Sequence, residues 1–288
     1  MTTAATPWAE AAWGRPVAHS ERLSGGWTSD INRLTSADGE RAVLRLMVRD
    51  PWRTHAEGLL TRESQVQEQL AGTDVPAPRS IALDVDGSAA GAPAHLMTWL
   101  PGRLELTRDD DAFLGRLAAL LRSIHGIDPG EQRPRTYQSW AHEAKRVVPE
   151  WAERPDLWAA AFRLLEAEPP SYDGTFLHRD FHLGNVLWTD GEPSGVVDWV
   201  ETSWGPAALD VAHCATYLAM LHGPDAAYRF REAYGDTGTD RYWAVMDIVG
   251  YLPGPAKIIE PWRDLGHVVP EAVAQQRLEE LLRVTIED

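Results

Sequence analysis

The sequence predicts an α+β fold in two lobes: a small antiparallel β-sheet lobe carrying one inserted helix, and a larger, mainly helical lobe. Three observations carry this expectation. Short runs with a period of two, separated by turn residues, occupy the first hundred positions. A single amphipathic stretch interrupts them, and beyond Pro101 the apolar residues recur at intervals of three and four. The boundary falls near residue 101, which gives lobes over residues 1–100 and 101–288.

Ile31 to Thr35 passes through a turn at Asp38-Gly39 into Ala42 to Val48, a strand-turn-strand signal. In the second strand Leu44 and Leu46 point one way and Arg45 the other, since side chains alternate along a strand. In the helix that follows, Thr54 and Glu57 have the spacing of a capping box, and Gly72 lies just past the end. Leu59, Glu63, Val66 and Leu70 share one face, so Glu63 sits on the apolar stripe, where a carboxylate needs a cation or nearby solvent. Short strands near Ser80 to Val85 and Ala94 to Trp99 complete the lobe.

Beyond Pro101, Asp109, Asp110 and Asp111 open a helix with Phe113, Leu117, Leu120, Leu121 and Ile124 on its buried face, closed by Gly126. Gln138 to Glu168 reads as two or three short helices broken near Pro149 and Pro155. Leu209 to Leu221 has few charges and reads as a buried helix led by Asp210. The remainder is mostly helical, with a break at Leu252 to Pro255.

The chain has 288 residues, with 27 Lys plus Arg against 43 Asp plus Glu, a formal net charge of -16. That balance excludes a nucleic-acid binder working by phosphate neutralisation, and it disfavours anionic membranes. No apolar run approaches the roughly 18 residues of a membrane span. The single cysteine, Cys214, forms no internal disulfide and suits a reducing compartment; with no signal-peptide pattern at the start, the expected location is the cytoplasm. Only Lys145 and Lys257 among the cations are lysines.

Chemistry concentrates in Phe176 to Val200. Val186-Leu187-Trp188 and Val196-Val197-Asp198 read as two strands joined through Asp190-Gly191, which would bring Asn185 and Asp198 to one end of a hairpin beside His178 and Asp180. A carboxylate and an amide oxygen there form a hard oxygen site suited to Mg²⁺. Asp180 is a second carboxylate, able to accept a proton from a hydroxyl.

His178-Arg179-Asp180 with Asn185, followed by Val197-Asp198-Trp199, resembles the catalytic core of the aminoglycoside phosphotransferase family, small-molecule kinases of the protein-kinase-like superfamily. The resemblance implies a protein-kinase-like two-lobed fold and transfer of the γ-phosphoryl group of ATP or GTP to a small-molecule hydroxyl, with Asp180 as base and Asn185 and Asp198 as magnesium ligands. Asp210 in Leu209-Asp210-Val211-Ala212 matches the family's aspartate bracing the catalytic loop, and His178 would steady that loop. Less sharply, Ser24-Gly25-Gly26 resembles the nucleotide loop, whose small residues admit phosphates. Met97 to Gly102 resembles the hinge, implying adenine contacts from the backbone near Thr98 and Leu100.

One departure stands out. Such kinases usually place a lysine on the third strand to hold the phosphates and pair with a helix glutamate, and here the position is Arg45. Arginine keeps the charge with a longer, bidentate grip, and it supplies the cation that Glu63 requires. The acceptor stays open between an aminoglycoside or other antibiotic and a metabolic alcohol of the choline or homoserine kind. Glu201, Asp225 and Glu260 would suit a cationic acceptor, and Trp140, Trp151 and Trp158 a stacking pocket, although solvated helix faces and core packing account better for most of them. A metal-dependent hydrolase built on His178, Asp180 and His182 leaves Asn185 and Asp198 unexplained. A non-catalytic nucleotide-binding homologue is the remaining alternative.

Overall fold

A computed structural model describes residues 4–24, 26, 28–235 and 241–287. These divide into two compact units. The first comprises Met1–Arg103, Leu187–Thr189 and Ser194–Glu201, and the second comprises Leu104–Val186, Asp190–Pro193 and Thr202–Asp288. The break in the chain thus falls after Arg103, and Asp198, expected with the second lobe, lies in the first unit.

The first unit is built on β1 (Val17–Arg22), β2 (Asp30–Ser36), β3 (Arg41–Leu46), β4 (Ser80–Asp84) and β5 (Ala94–Thr98), an antiparallel sheet in the order β1-β2-β3-β5-β4. β2 and β3 pair with Ile31 opposite Arg45 and Leu34 opposite Ala42. Alternation decides what each face holds. Leu34, Ala42, Leu44, Leu46 and Leu96 are fully buried against Ala5 and Ala9 of a helix, α1 (Ala5–Trp13), that the period-two reading of this lobe did not include. Small residues on α1 let it lie close to the sheet. Arg45 faces the opposite side, toward α2 (Ala56–Leu70).

The capping box expected at Thr54 and Glu57 does not form. A 3-10 turn over Trp52–His55 precedes α2, whose N-terminus carries no side-chain cap. Glu63, Val66 and Leu70 are buried as the stripe requires, together with Leu60.

In the second unit, α3 (Asp111–His125) begins with the Asp110 carboxylate accepting the Phe113 N–H at 3.0 Å. Between Gln138 and Glu168 only a 3-10 turn at Glu143–Lys145 and α4 (Pro155–Leu164) are regular, fewer helices than the spacing suggested. β6 (Thr175–Leu177) pairs antiparallel with β9 (Ser203–Gly205), enclosing the segment from His178 to Thr202 between them in sequence. β7 (Val186–Thr189) and β8 (Glu192–Val196), most of whose residues belong to the first unit, form the hairpin, but β8 ends before Val197-Asp198, so Asp198 follows the strand instead of closing it. α5 (Ala208–His222) is buried on every side by α6 (Pro224–Tyr234), α7 (Arg241–Gly250) and α9 (Glu271–Glu287), which explains why so few of its residues are charged. α8 (Ala256–Asp264) packs beside α9. No described helix is long and apolar enough to cross a membrane.

Candidate active site

Arg45, Glu63 and Asp198, far apart in sequence, meet in the first unit. Arg45 Nη2 lies 3.1 Å from Glu63 Oε1, and Nη1 lies 3.0 Å from Asp198 Oδ1. The guanidinium fork spans both carboxylates, which a lysine ammonium would do less readily. Arg45 and Glu63 are almost fully buried, whereas the Asp198 side chain is 31% exposed. Burial opposes both charges of the inner pair, yet Asp198 and Glu63 hold the guanidinium pKa above its ordinary value. For Glu63, Arg45 and a hydrogen bond from His95 outweigh burial and keep the carboxyl below its usual range. His95 Nδ1 is 2.8 Å from Glu63 Oε2, and its Nε2 is 3.0 Å from Ser80 Oγ, which Ser64 Oγ approaches at 2.8 Å. This polar chain behind Glu63 was not anticipated. Its only sequence signal is a histidine in an otherwise apolar buried strand.

Of the loop before β2, Ser24 is exposed, while Gly25 lies outside the described residues. Gly26 is required to be glycine: an added Cβ would stand 2.5 Å from Ser29 O. Arg49 ties the loop down by donating Nη1 to Gly26 O at 2.7 Å. Thr98 donates its N–H to Arg79 O, and its hydroxyl oxygen accepts the Arg79 N–H, both at 2.9 Å, so it has no free backbone donor for an adenine. Leu100 lies beyond β5, packed over Gly195, where a Cβ would come within 2.8 Å of Leu100 Cδ1.

The second unit assembles His178, Asp180, Asn185 and Asp210. Asp210, fully buried at the start of α5, accepts the backbone N–H of His178 and of Arg179, each at 2.8 Å. His125 Nε2 stands 3.2 Å from the same carboxylate. Burial works against the ionised Asp210, but the hydrogen bond and charge of His125 outweigh it and lower its pKa. Arg179 has a left-handed φ of 73°, strained for a side chain of its size, and the bond to Asp210 holds that conformation. Its guanidinium stacks over Trp140, 3.8 Å from the ring centroid. The turn delivers Asp180, whose side chain is 27% exposed. His178 Nδ1 accepts the Asp180 N–H at 3.2 Å, and Asn185 Nδ2 donates to Asp180 O at 2.8 Å and to Oδ2 at 3.2 Å.

Three residues missing from the sequence reading stand behind Asp180: His213, Asp247 and Tyr251. His213 Nε2 is 3.0 Å from Asp180 Oδ1, its Nδ1 is 3.0 Å from Asp247 Oδ1, and Tyr251 Oη lies 3.2 Å from Nδ1. Burial disfavours a charged ring, but Asp247 and the Asp180 hydrogen bond outweigh it and raise the His213 pKa to about 9. Asp180 in turn is held well below the usual carboxylate range, burial notwithstanding, chiefly by His213. His182 behaves oppositely. Burial pushes it down to about 3, and the neutral ring stacks on Tyr217 with centroids 3.9 Å apart. A charged residue inside the apolar run of α7 was the available signal for Asp247.

The same fold occurs in aminoglycoside phosphotransferase APH(4)-Ia, with a TM-score of 0.69 at 18% identity, covering 98% of this chain and 99% of that one. It recurs in macrolide 2'-phosphotransferase MphH from Brachybacterium faecium, with a TM-score of 0.60 at 16% identity over 97% of both chains. Residues 19–248 match the phosphotransferase enzyme family, and the chain belongs to that family. Among curated proteins, homoserine kinase from Methylobacterium nodulans is 28% identical over 177 residues, 57% of this chain and 54% of that one. The chain therefore spans about half the length of that relative.

Proposed function

We propose that this chain transfers the γ-phosphoryl group of ATP or GTP to a hydroxyl of a small molecule. The observation that carries the reading is the Asp180 carboxylate: ionised, partly exposed, and hydrogen-bonded through both oxygens to residues that fix its orientation. A carboxylate so held can orient an acceptor hydroxyl and accept its proton. The acceptor oxygen bonds to the γ-phosphorus as the bond to the β-bridging oxygen breaks, the nucleoside diphosphate leaves, and the hydroxyl proton passes to Asp180 and on to solvent.

The first unit would carry the nucleotide: Arg45, oriented by Glu63, on the phosphates; Ser24, Gly25 and Gly26 against them; and the chain near Thr98 and Leu100 by the base. Solved relatives support a nucleotide co-substrate, since a mutant APH(4)-Ia is described in ternary complex with ADP and hygromycin B. Mg²⁺ would neutralise phosphate charge. Each unit offers an oxygen donor of the kind it takes: Asn185 commits Nδ2 to Asp180 and keeps its amide oxygen, and Asp198 has a partly exposed carboxylate. The second unit, with Asp180, would receive the acceptor.

The likeness in fold to aminoglycoside and macrolide phosphotransferases supports an antibiotic as the first candidate acceptor. A metabolic alcohol is the second reading, favoured by the similarity to homoserine kinase. A phosphate-transfer screen with MgATP and MgGTP against aminoglycosides, macrolides, choline and homoserine tests both. We expect saturable transfer to one class; no nucleotide binding by calorimetry overturns the kinase reading. We place the reaction in the cytoplasm, where nucleoside triphosphates are available.

A further inference from the structure

We propose that His213 is a positioning residue of this centre: hydrogen-bonded through both ring nitrogens, it fixes the Asp180 carboxylate, and Asp247 fixes it in turn. The inference rests on the transferase reading above.

The argument starts from hydrogen-bond inventory. Each ring nitrogen lies 3.0 Å from a carboxylate oxygen, Nε2 from Asp180 and Nδ1 from Asp247. Ionised carboxylates only accept, so both nitrogens carry protons and the ring is an imidazolium. Its elevated pKa agrees with that state. Charge accounting agrees too. Without the ring, Asp180 and the buried Asp247 would place two like charges in one pocket; with it, the triad carries a single net negative charge.

The carboxylate torsion of an aspartate is soft, so a partly exposed Asp180 has no fixed aim of its own. His213 takes Oδ1, and Asn185 makes the longer 3.2 Å contact to Oδ2. Oδ2 is then the oxygen with capacity left for an acceptor hydroxyl. The ring cannot swing away. Trp140 meets it edge-on at 5.1 Å, Tyr217 at 5.0 Å, Tyr251 lies near-parallel at 6.1 Å, and His182 stands at 6.0 Å.

Helix periodicity supplies the reason for this location. Asp210 and His213 are three residues apart on α5, hence on one face. Asp210 holds the loop backbone at His178 and Arg179, and His213 holds the side chain of the next residue. One buried helix therefore aligns both the turn and the carboxylate it delivers.

The test combines spectroscopy with kinetics. In protein labelled with ¹⁵N-histidine at pH 7.5, one ring should show both nitrogens protonated, and His213→Gln should remove that signal. A neutral His213 ring in the wild type overturns the proposal. With the acceptor identified by the screen, or with water as acceptor for MgATP, kcat should fall about ten- to a hundredfold in His213→Gln and in Asp247→Asn, the cost of a charge-assisted hydrogen bond. KM for MgATP should stay within about twofold. Active wild type with unchanged kcat in both variants sinks the positioning role alone. Asp247→Asn keeps the question answerable if His213→Gln does not fold. Wild type that turns over no MgATP sinks the transferase reading, and His213's role with it, even if the doubly protonated ring persists.

Discussion

Asp180 and Arg45 pose opposite problems at the level of single residues. Asp180 is exposed enough to meet a substrate and is kept ionised by its neighbours. Asp180→Asn retains its shape and loses its charge, so transfer should fall below detection while MgATP affinity by calorimetry changes little; retained turnover would remove Asp180 from the chemistry. Arg45 is buried between Glu63 and Asp198, and deleting it strands a desolvated carboxylate. Arg45→Ala should weaken nucleotide binding most, and in denaturant titrations it should cost about 3–5 kcal/mol, the usual penalty for breaking a buried pair. An unchanged nucleotide affinity would assign the phosphates to another cation.

Elements matter here for where they begin. α5 starts with Asp210, whose carboxylate satisfies two loop N–H groups inside the core. Asp210→Ala leaves both donors unpaired, at about 1–3 kcal/mol each. Thermal unfolding should show the loss, together with reduced kcat because the Arg179 turn is no longer held. A melting temperature equal to wild type would contradict this. α1 has a comparable role on the sheet. Its Ala5 and Ala9 belong to the cluster that buries Leu44 and Leu46, so its removal would expose part of that core.

Across the whole molecule, two buried histidines tie stability to pH in opposite senses. His213 is raised to about 9 from an unfolded value near 6.5, so its contribution is complete below about 6.5 and is lost as pH rises through 9. His182 is depressed to about 3, so its contribution is complete above about 6.5 and fades as pH falls toward 3. The stability gap between wild type and His213→Gln should therefore narrow from pH 6.5 to 9 in chemical denaturation, and a constant gap would count against the triad. Period-two and helical spacing sufficed to read most strands of the sheet, α3 and α5, because those patterns are local consequences of burying one face. The same spacing singled out Glu63 as a carboxylate needing a cation. What local pattern cannot carry is which distant residues become neighbours. The membership of Asp198 in the first unit, the polar chain behind Glu63, and the His213–Asp247 support of Asp180 were decided by tertiary packing. There, burial makes every charge demand a partner whatever its distance in sequence.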